Sequence, residues 1–574
     1  MRLHLKNITR LQWGISCIAG FLIAGCLALG EQTANAGHDL GPIFIFKWIL
    51  VGLVLGIFIG IAQRILESAA RNATPIDKKE KIWKARFCLS WTDVFFWALV
   101  ILVCWTPWIV LMQPTSMGPD TVAQILWFRG YPVWDPSSRQ MIEGVTMSDH
   151  HPVFDTLIYG LFDQIGLAIG HDSIGFRIYG IVQAVVTAAC MSSLVCYMRE
   201  RLTAPRGFCI ASIAFFALLP PFACMSQVIV KDLTSMPFFI VWMLLFCELV
   251  LRSKRGEKIT VKLIVLLTLM TLLGALTRKT LLYIELLSLV IAFIALHERK
   301  TLIAPIFVPS FVLMCLMPMV LFPAFGIAKG GSQEAIAVPL HQTVCAYMQN
   351  KDNMPHDDIE TIEKVIDLDK AVQVYEIGSA DSVKDKAFKR EATGGDVLQY
   401  ILVWAKQAFM YPSSYGDAIS YLQVYLYPGQ VASEDFFVRW GWPEFGGNDI
   451  LQNYPPCTPT DYQPSTENQK LASSFLRESL ATIPVVGLLL QSCLYFTWLP
   501  IFSLATCLSY KRKYAVLMLS TLFITCFTLI LCPVAQARYG YNMLYCAPLL
   551  LGIPFLVQDK KMKEHEEETK AENA

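Results

Sequence analysis

Eight consecutive residues, SDHHPVFD at 148–155, crowd Asp149, His150, His151 and Asp155 into a chain that is 55% hydrophobic. Such a group is costly in hydrocarbon and ordinary in water. What it can do depends on which side of a barrier it occupies and what shares that side. Other polar residues stand as abruptly against apolar runs: Asp120 in SMGPDT, Lys231 and Asp232 in VIVKDLTSMPFF, Arg278 and Lys279 in GALTRKTLLY, Arg538 and Tyr539 in AQARYGYNML. A carboxylate so placed can take a proton from a hydroxyl as general base, and Asp120 is the first candidate, with Asp232 and Asp149 behind it. Guanidinium forks match phosphate oxygens in pairs and lysines act as point charges. That makes Arg278, Arg538, Lys231 and Lys279 candidate ligands of an anionic substrate, with His150, His151 and Tyr539 beside them. Taken singly each has a plainer reading, as a snorkelling cation, a solvated loop or a turn before Pro152. The adjacent histidines lack the i, i+4 spacing of a helical zinc site, so no metal ligand is assigned and a divalent ion is left open as a cofactor.

The elements that must position these residues are apolar spans. The 574 residues have a mean hydropathy of +0.47 and only 16% charged side chains, where a soluble chain carries about a quarter. Runs such as 11–30, 43–63, 94–112 and 302–326 are each as long as the roughly 20 residues that cross a bilayer as a helix. The expected fold is an all-α polytopic membrane protein of about twelve spans: 11–30, 43–63, 94–112, 176–197, 207–225, 234–251, 260–277, 279–297, 302–326, 484–509, 513–531 and 541–557. An Ala34-Asn35-Ala36 sequence after the first run resembles a signal cleavage site, but that run is longer than a usual signal core and is read as a retained span. Of the 17 cysteines, 14 lie in or at the ends of spans, as small hydrophobes do. Cys345 and Cys457 are candidates for a disulfide if they meet.

Lys and Arg orient the spans. With the N-terminus inside, the inner segments hold 26 of them and the short outer ones 6. Both termini are then cytoplasmic, and every candidate residue above falls outside. The stretch 153–170 is apolar enough to cross, but crossing would invert all later loops and bury Asp155 and Asp163, so it is read as an amphipathic helix on the outer surface. The organisation is a two-span extension with a basic inner loop (1–93), a membrane core (94–326) whose outer loop 113–175 carries catalytic candidates, an acidic extracytoplasmic insertion (327–483), C-terminal spans (484–557) and a charged tail (558–574). The insertion holds 21 Asp and Glu against 12 Lys and Arg. It reads as helical at first and loop-like later, where Trp440 and Trp442, with Tyr425, are candidates to stack on a sugar, packing being the plainer role. No basic stripe with interleaved aromatics points to nucleic acid.

MGPDT with Asp120, SDHHP with Asp149–Pro152, the Lys231–Asp232 pair and ARYGY at 537–541 resemble the outer-loop pattern of GT-C membrane glycosyltransferases, among them the protein O-mannosyltransferases and lipid A aminoarabinose transferases. The resemblance runs over 94–326 and 484–557 and points to a bacterial branch of that class. It departs at Thr121, which follows Asp120 where those enzymes carry a second acid. It implies a cell-membrane enzyme that passes a sugar from a polyprenyl-phosphate donor to an extracytoplasmic acceptor, be it glycan, lipid or protein, with membrane lipid around it. A transporter, or a polymerase or ligase of lipid-linked polysaccharide, is the alternative.

Overall fold

The computed structural model describes residues 9–34, 42–135, 140–296, 298, 300–429 and 474–558. Trp440, Trp442, Cys457 and the charged tail from 559 lie outside the described residues. The fold is all-α, with four strands of two or three residues. Among the described residues seven helices are long and apolar enough to cross a membrane: Arg10–Gly30, Ile43–Arg71, Trp91–Met112, Ser173–Arg201, Lys231–Arg255, Ile303–Ala324 and Lys513–Leu531. The remaining expected spans are shorter or broken. Residues 207–225 form Arg206–Leu218 and, after a break at Leu219, Pro220–Met225. Residues 484–509 break at Gln491, and 541–557 break at Cys546. Pro220 and Pro548 stand in the first turn of their helices, where a missing N–H costs nothing and a new helix can begin.

The first two helices pack through small residues. A Cβ on Gly20 would lie 2.4 Å from both the Gly52 carbonyl oxygen and the Gly56 nitrogen, so only glycine lets these backbones approach. The pair is fastened to the C-terminal helices by a buried polar chain. Ser16 donates to Gln63 (3.1 Å), Gln63 to Thr506 (3.1 Å), and Arg512 forks onto Glu67 (2.7 Å to each oxygen). The core proper is built by Trp91–Met112, Asp172–Arg201, Met236–Arg255 and Lys513–Thr528 around Trp105, Trp242 and Phe246. Phe95, Leu99, Val103 and Val110 form an exposed stripe at helical spacing on the first of these helices. That is the face a lipid-exposed helix presents.

Val153–Ile169 is amphipathic, as expected, with its polar side toward the protein. Leu157, Leu161 and Ile169 face outward, while Asp155, Thr156, Tyr159 and Asp163 are buried. Asp163 meets the Arg129 fork at 2.8 and 2.6 Å, so it is neutralised inside the protein and not left to lipid or water.

The insertion has its own core of Leu340, Val344, Ile362, Ile366 and Tyr400. The expected helical stretch 357–372 is two helices, His356–Glu363 and Leu368–Val374, the second capped by Asp367. A Thr393–Asp396 capping box starts Gly394–Met410.

Candidate functional site

A two-residue parallel pairing sets the centre of the site. Ser116 and Met117 pair with Val228 and Ile229, and Thr121 donates to the Ile229 carbonyl at 2.6 Å. Both strands then turn into helices, Pro119–Phe128 and Lys231–Thr234. Asp120 and Asp232 fall in their first turns, where a negative charge suits the helix dipole. Two further turns enter from other parts of the chain. Arg278 ends Val261–Thr277 and Lys279 begins Lys279–Ala295; Ala537–Gly540 delivers Arg538 and Tyr539.

The result brings Asp120, Asp149, His150, His151, Lys231, Asp232, Arg278, Lys279, Arg538 and Tyr539 together. Lys231 Nζ lies 3.5 Å from Asp120 Oδ2, and Arg538 lies 3.9 Å from both Asp120 Oδ2 and Asp232 Oδ2. Arg278 Nε is 3.1 Å from Asp232 Oδ1, and its other nitrogens donate to Asn542 Oδ1 (3.0 Å) and the Tyr539 carbonyl (3.1 Å). Lys279 lies 2.8 Å from Asp149. Lys231 also reaches His151 Nδ1 at 3.3 Å; His151 stacks on Trp127 and meets His150 edge to face.

Exposure separates the members by role. The Asp232 side chain is 1% exposed and Arg278 7%, so they form a buried supporting pair. Asp120 at 29%, Lys231 at 23% and Arg538 at 18% form the accessible centre. The separations there are long, and Arg538 Nε, though buried, has no hydrogen-bond partner among the described residues. These cations are under-occupied while Arg278 is spent.

Burial pushes the Asp120 carboxyl up, but the surrounding positive groups outweigh it and hold it well below the usual carboxylate range. Burial and Lys231 hold His151 well below 6.5 and burial chiefly lowers His150. The groups that lower Asp120 are His151 first, then Lys231, Arg538 and His150. Burial pulls Arg538 down, and Tyr539, Asp232 and Asp120 more than offset it. Burial pushes Tyr539 up to about 12. Four basic side chains, Lys231, Arg278, Lys279 and Arg538, thus stand against the carboxyl groups of Asp120, Asp149 and Asp232.

Among the described residues no group of three or more His, Cys, Asp and Glu is placed to hold a metal ion. The His151 nitrogen facing the cluster is occupied by an ammonium, which does not suit a metal ligand. Tyr425 is buried, packs on Phe496 and donates to the Gln536 carbonyl at 2.8 Å, so it cannot stack on a sugar.

Sequence reasoning missed the contribution of the insertion. The Asp149 N–H donates to the Ala328 carbonyl (2.7 Å), the Ala380 N–H to Pro533 (2.8 Å) and the Tyr421 hydroxyl to Cys532 (2.8 Å). The insertion thus holds two of the strips that carry the site. Glu334, paired with Lys384 at 2.6 Å, acts on His150. Asn542 and Asp155 were also missed. Only Asp155 had a sequence signal, its place in the SDHHPVFD cluster.

Fold and site together define a helical membrane protein with a net-positive ion cluster gathered at the ends of its apolar helices. The chain belongs to DUF6020, a family of unknown function, whose family model matches residues 5–570. No curated protein and no solved structure matches it.

Proposed function

We propose that this is a multi-pass cell-membrane glycosyltransferase of about twelve spans, both termini cytoplasmic, moving a sugar from a polyprenyl-phosphate donor to an extracytoplasmic acceptor. The observation that supports this best is the convergence of five segments that charge counting puts on the outer side, in one cluster with excess positive charge and under-occupied Lys231 and Arg538.

A phosphate is already charged when it leaves, so the reaction calls for cations and no general acid. Arg538 and Lys231 would hold the phosphate oxygens, with Lys279 at the rim. As the sugar C1–phosphate bond breaks, the acceptor oxygen bonds to C1 and its proton passes to Asp120. A carboxylate held so far below its ordinary range is a weak base. It suits a transition state in which the C1–phosphate bond is largely broken before the proton moves. Asp232, too buried to touch substrate, would position Arg278 and Arg538.

Binding of a polyprenyl phosphate to the purified chain, read by native mass spectrometry, tests the anion site. Replacing Arg538 by Ala removes a charged hydrogen bond of about 1.5–3 kcal/mol, a loss of roughly ten- to hundredfold in affinity. Equal binding by wild type and Arg538→Ala would overturn the reading. One observation favours a transporter instead. Glu285 is buried within Lys279–Ala295 with neither oxygen hydrogen-bonded among the described residues, and an ionisable group inside a span marks an ion or substrate pathway.

A further inference from the structure

One acid beside the cluster has no part in the reaction above. Asp155 lies in the first turn of Val153–Ile169. It is 0% exposed, and neither carboxylate oxygen has a hydrogen-bond partner among the described residues. Two turns further along the same helix Asp163 shows the usual solution for a buried carboxylate, a two-point bond to Arg129. Asp155 has no such partner. Charged groups on the neighbouring elements include Asp120 and Arg129 around Pro119–Phe128, Arg177 and, at the far end, Arg199, Glu200 and Arg201 on Asp172–Arg201, Lys262 and Arg278 at the ends of Val261–Thr277, and Lys231 and Asp232. Of these only Lys231 and Asp232 act on Asp155. On its other side the Tyr159 hydroxyl lies 2.8 Å from Thr234 Oγ1, and the Tyr179 hydroxyl donates to Gln183 Oε1 at 2.8 Å and lies 2.6 Å from Thr234 Oγ1, so neither is bonded to the carboxyl.

Asp155 decides the charge of the site. Lys231, Arg278, Lys279 and Arg538 face Asp120, Asp149 and Asp232. With Asp155 ionised the count is four against four; with Asp155 protonated one positive charge is left over.

We propose that Asp155 is a proton-binding site built into this cluster, and that an anionic ligand and a proton on Asp155 bind in support of one another. The inference rests on the anion-site reading above. The coupling is reciprocal: an anion against Lys231 draws the proton, and the proton strengthens the anion's hold by the same factor. Burial raises the Asp155 carboxyl well above the ordinary range, with Lys231 opposing and Asp232 adding to the rise. Below that folded-state value the proton is in place and binding is tightest. Above it, affinity falls by up to about tenfold per pH unit.

The test uses the full chain in detergent with farnesyl sulfate, an isoprenyl anion whose charge does not change between about pH 5 and 9, the range over which buried carboxyls titrate. The wild type should lose affinity as pH rises, and Asp155→Asn should lose that slope above the histidine range. Calorimetry of the wild type in two buffers of different ionisation enthalpy should show up to one proton taken up per ligand in the sloping range. Matching slopes in wild type and Asp155→Asn overturn the proposal, and so does a wild type that takes up no proton, which decides the matter even if the variant fails to fold. Absence of wild-type binding at every pH overturns the anion site itself, and with it the role of Asp155.

Discussion

The Arg278–Asp232 pair supports the site from beneath, and its removal should unfold the region before it affects ligand. Arg278→Ala would strip Asp232, 1% exposed, of the nearer of its two cations among the described residues, leaving Arg538 at 3.9 Å. It would also free Asn542 Oδ1 and the Tyr539 carbonyl, which Arg278 now satisfies at 3.0 and 3.1 Å. Breaking a buried pair by taking one partner costs about 3–5 kcal/mol. Asp232→Asn alone should cost about as much by leaving Arg278 uncompensated. The double variant Arg278→Met with Asp232→Asn should recover about half or more of the loss, because buried pairs are worth little net against neutral side chains of similar volume. The assay is denaturant unfolding in detergent micelles, with Arg538→Ala as comparison. Arg538 is 18% exposed and loosely paired, so its loss should cost less than about 2 kcal/mol. If Arg278→Ala proves no less stable than Arg538→Ala, the division into buried support and accessible centre is wrong.

Arg129→Ala should destabilise by a similar 3–5 kcal/mol or so, since it strands buried Asp163, and Arg129→Ala with Asp163→Asn should restore much of it in the same unfolding assay. Gly56→Leu should separate the first two helices, because a Cβ there would already lie 2.8 Å from the Cys17 Cα; a disulfide-trapping pair across that contact should stop forming. The His151 contribution to stability should fall as pH drops below 6.5, the ordinary histidine value, because His151 is held below it in the fold and the unfolded chain binds the proton more readily, while Asp155, raised in the fold, contributes in the opposite direction. His151→Gln should flatten that acid limb in melting curves taken from about pH 7 to 5. Asp120, already held low, should contribute no loss in that window.

The membrane character and the residues that gather in the cluster were legible because a charge beside an apolar run stands out in any sequence of this composition. Asp120, Lys231, Asp232, Arg278 and Arg538 come from positions 120 to 538 and still fall into one network. Their division of labour was not legible. Nothing in GALTRKTLLY says that Arg278 will be consumed by Asp232 and Asn542 while Arg538 stays open. Asp155 read only as an obstacle to membrane insertion, since its isolation depends on which residues fold around it. The insertion's grip on the site runs through backbone carbonyls of Ala328, Pro533 and Cys532, and such bonds leave no trace in side-chain identity. Breaks at Leu219 and Gln491 interrupt runs that hydropathy alone joins.

Sugar transfer by the purified chain in lipid, supplied with labelled polyprenyl-phosphate hexoses and an envelope acceptor fraction, tests the proposed activity most directly when wild type and Asp120→Asn are compared. Transfer by the wild type, cut about 10²–10⁴-fold in Asp120→Asn with donor binding retained, is the predicted result. Equal transfer by both, or none from any donor by a wild type that binds polyprenyl phosphate, would contradict it.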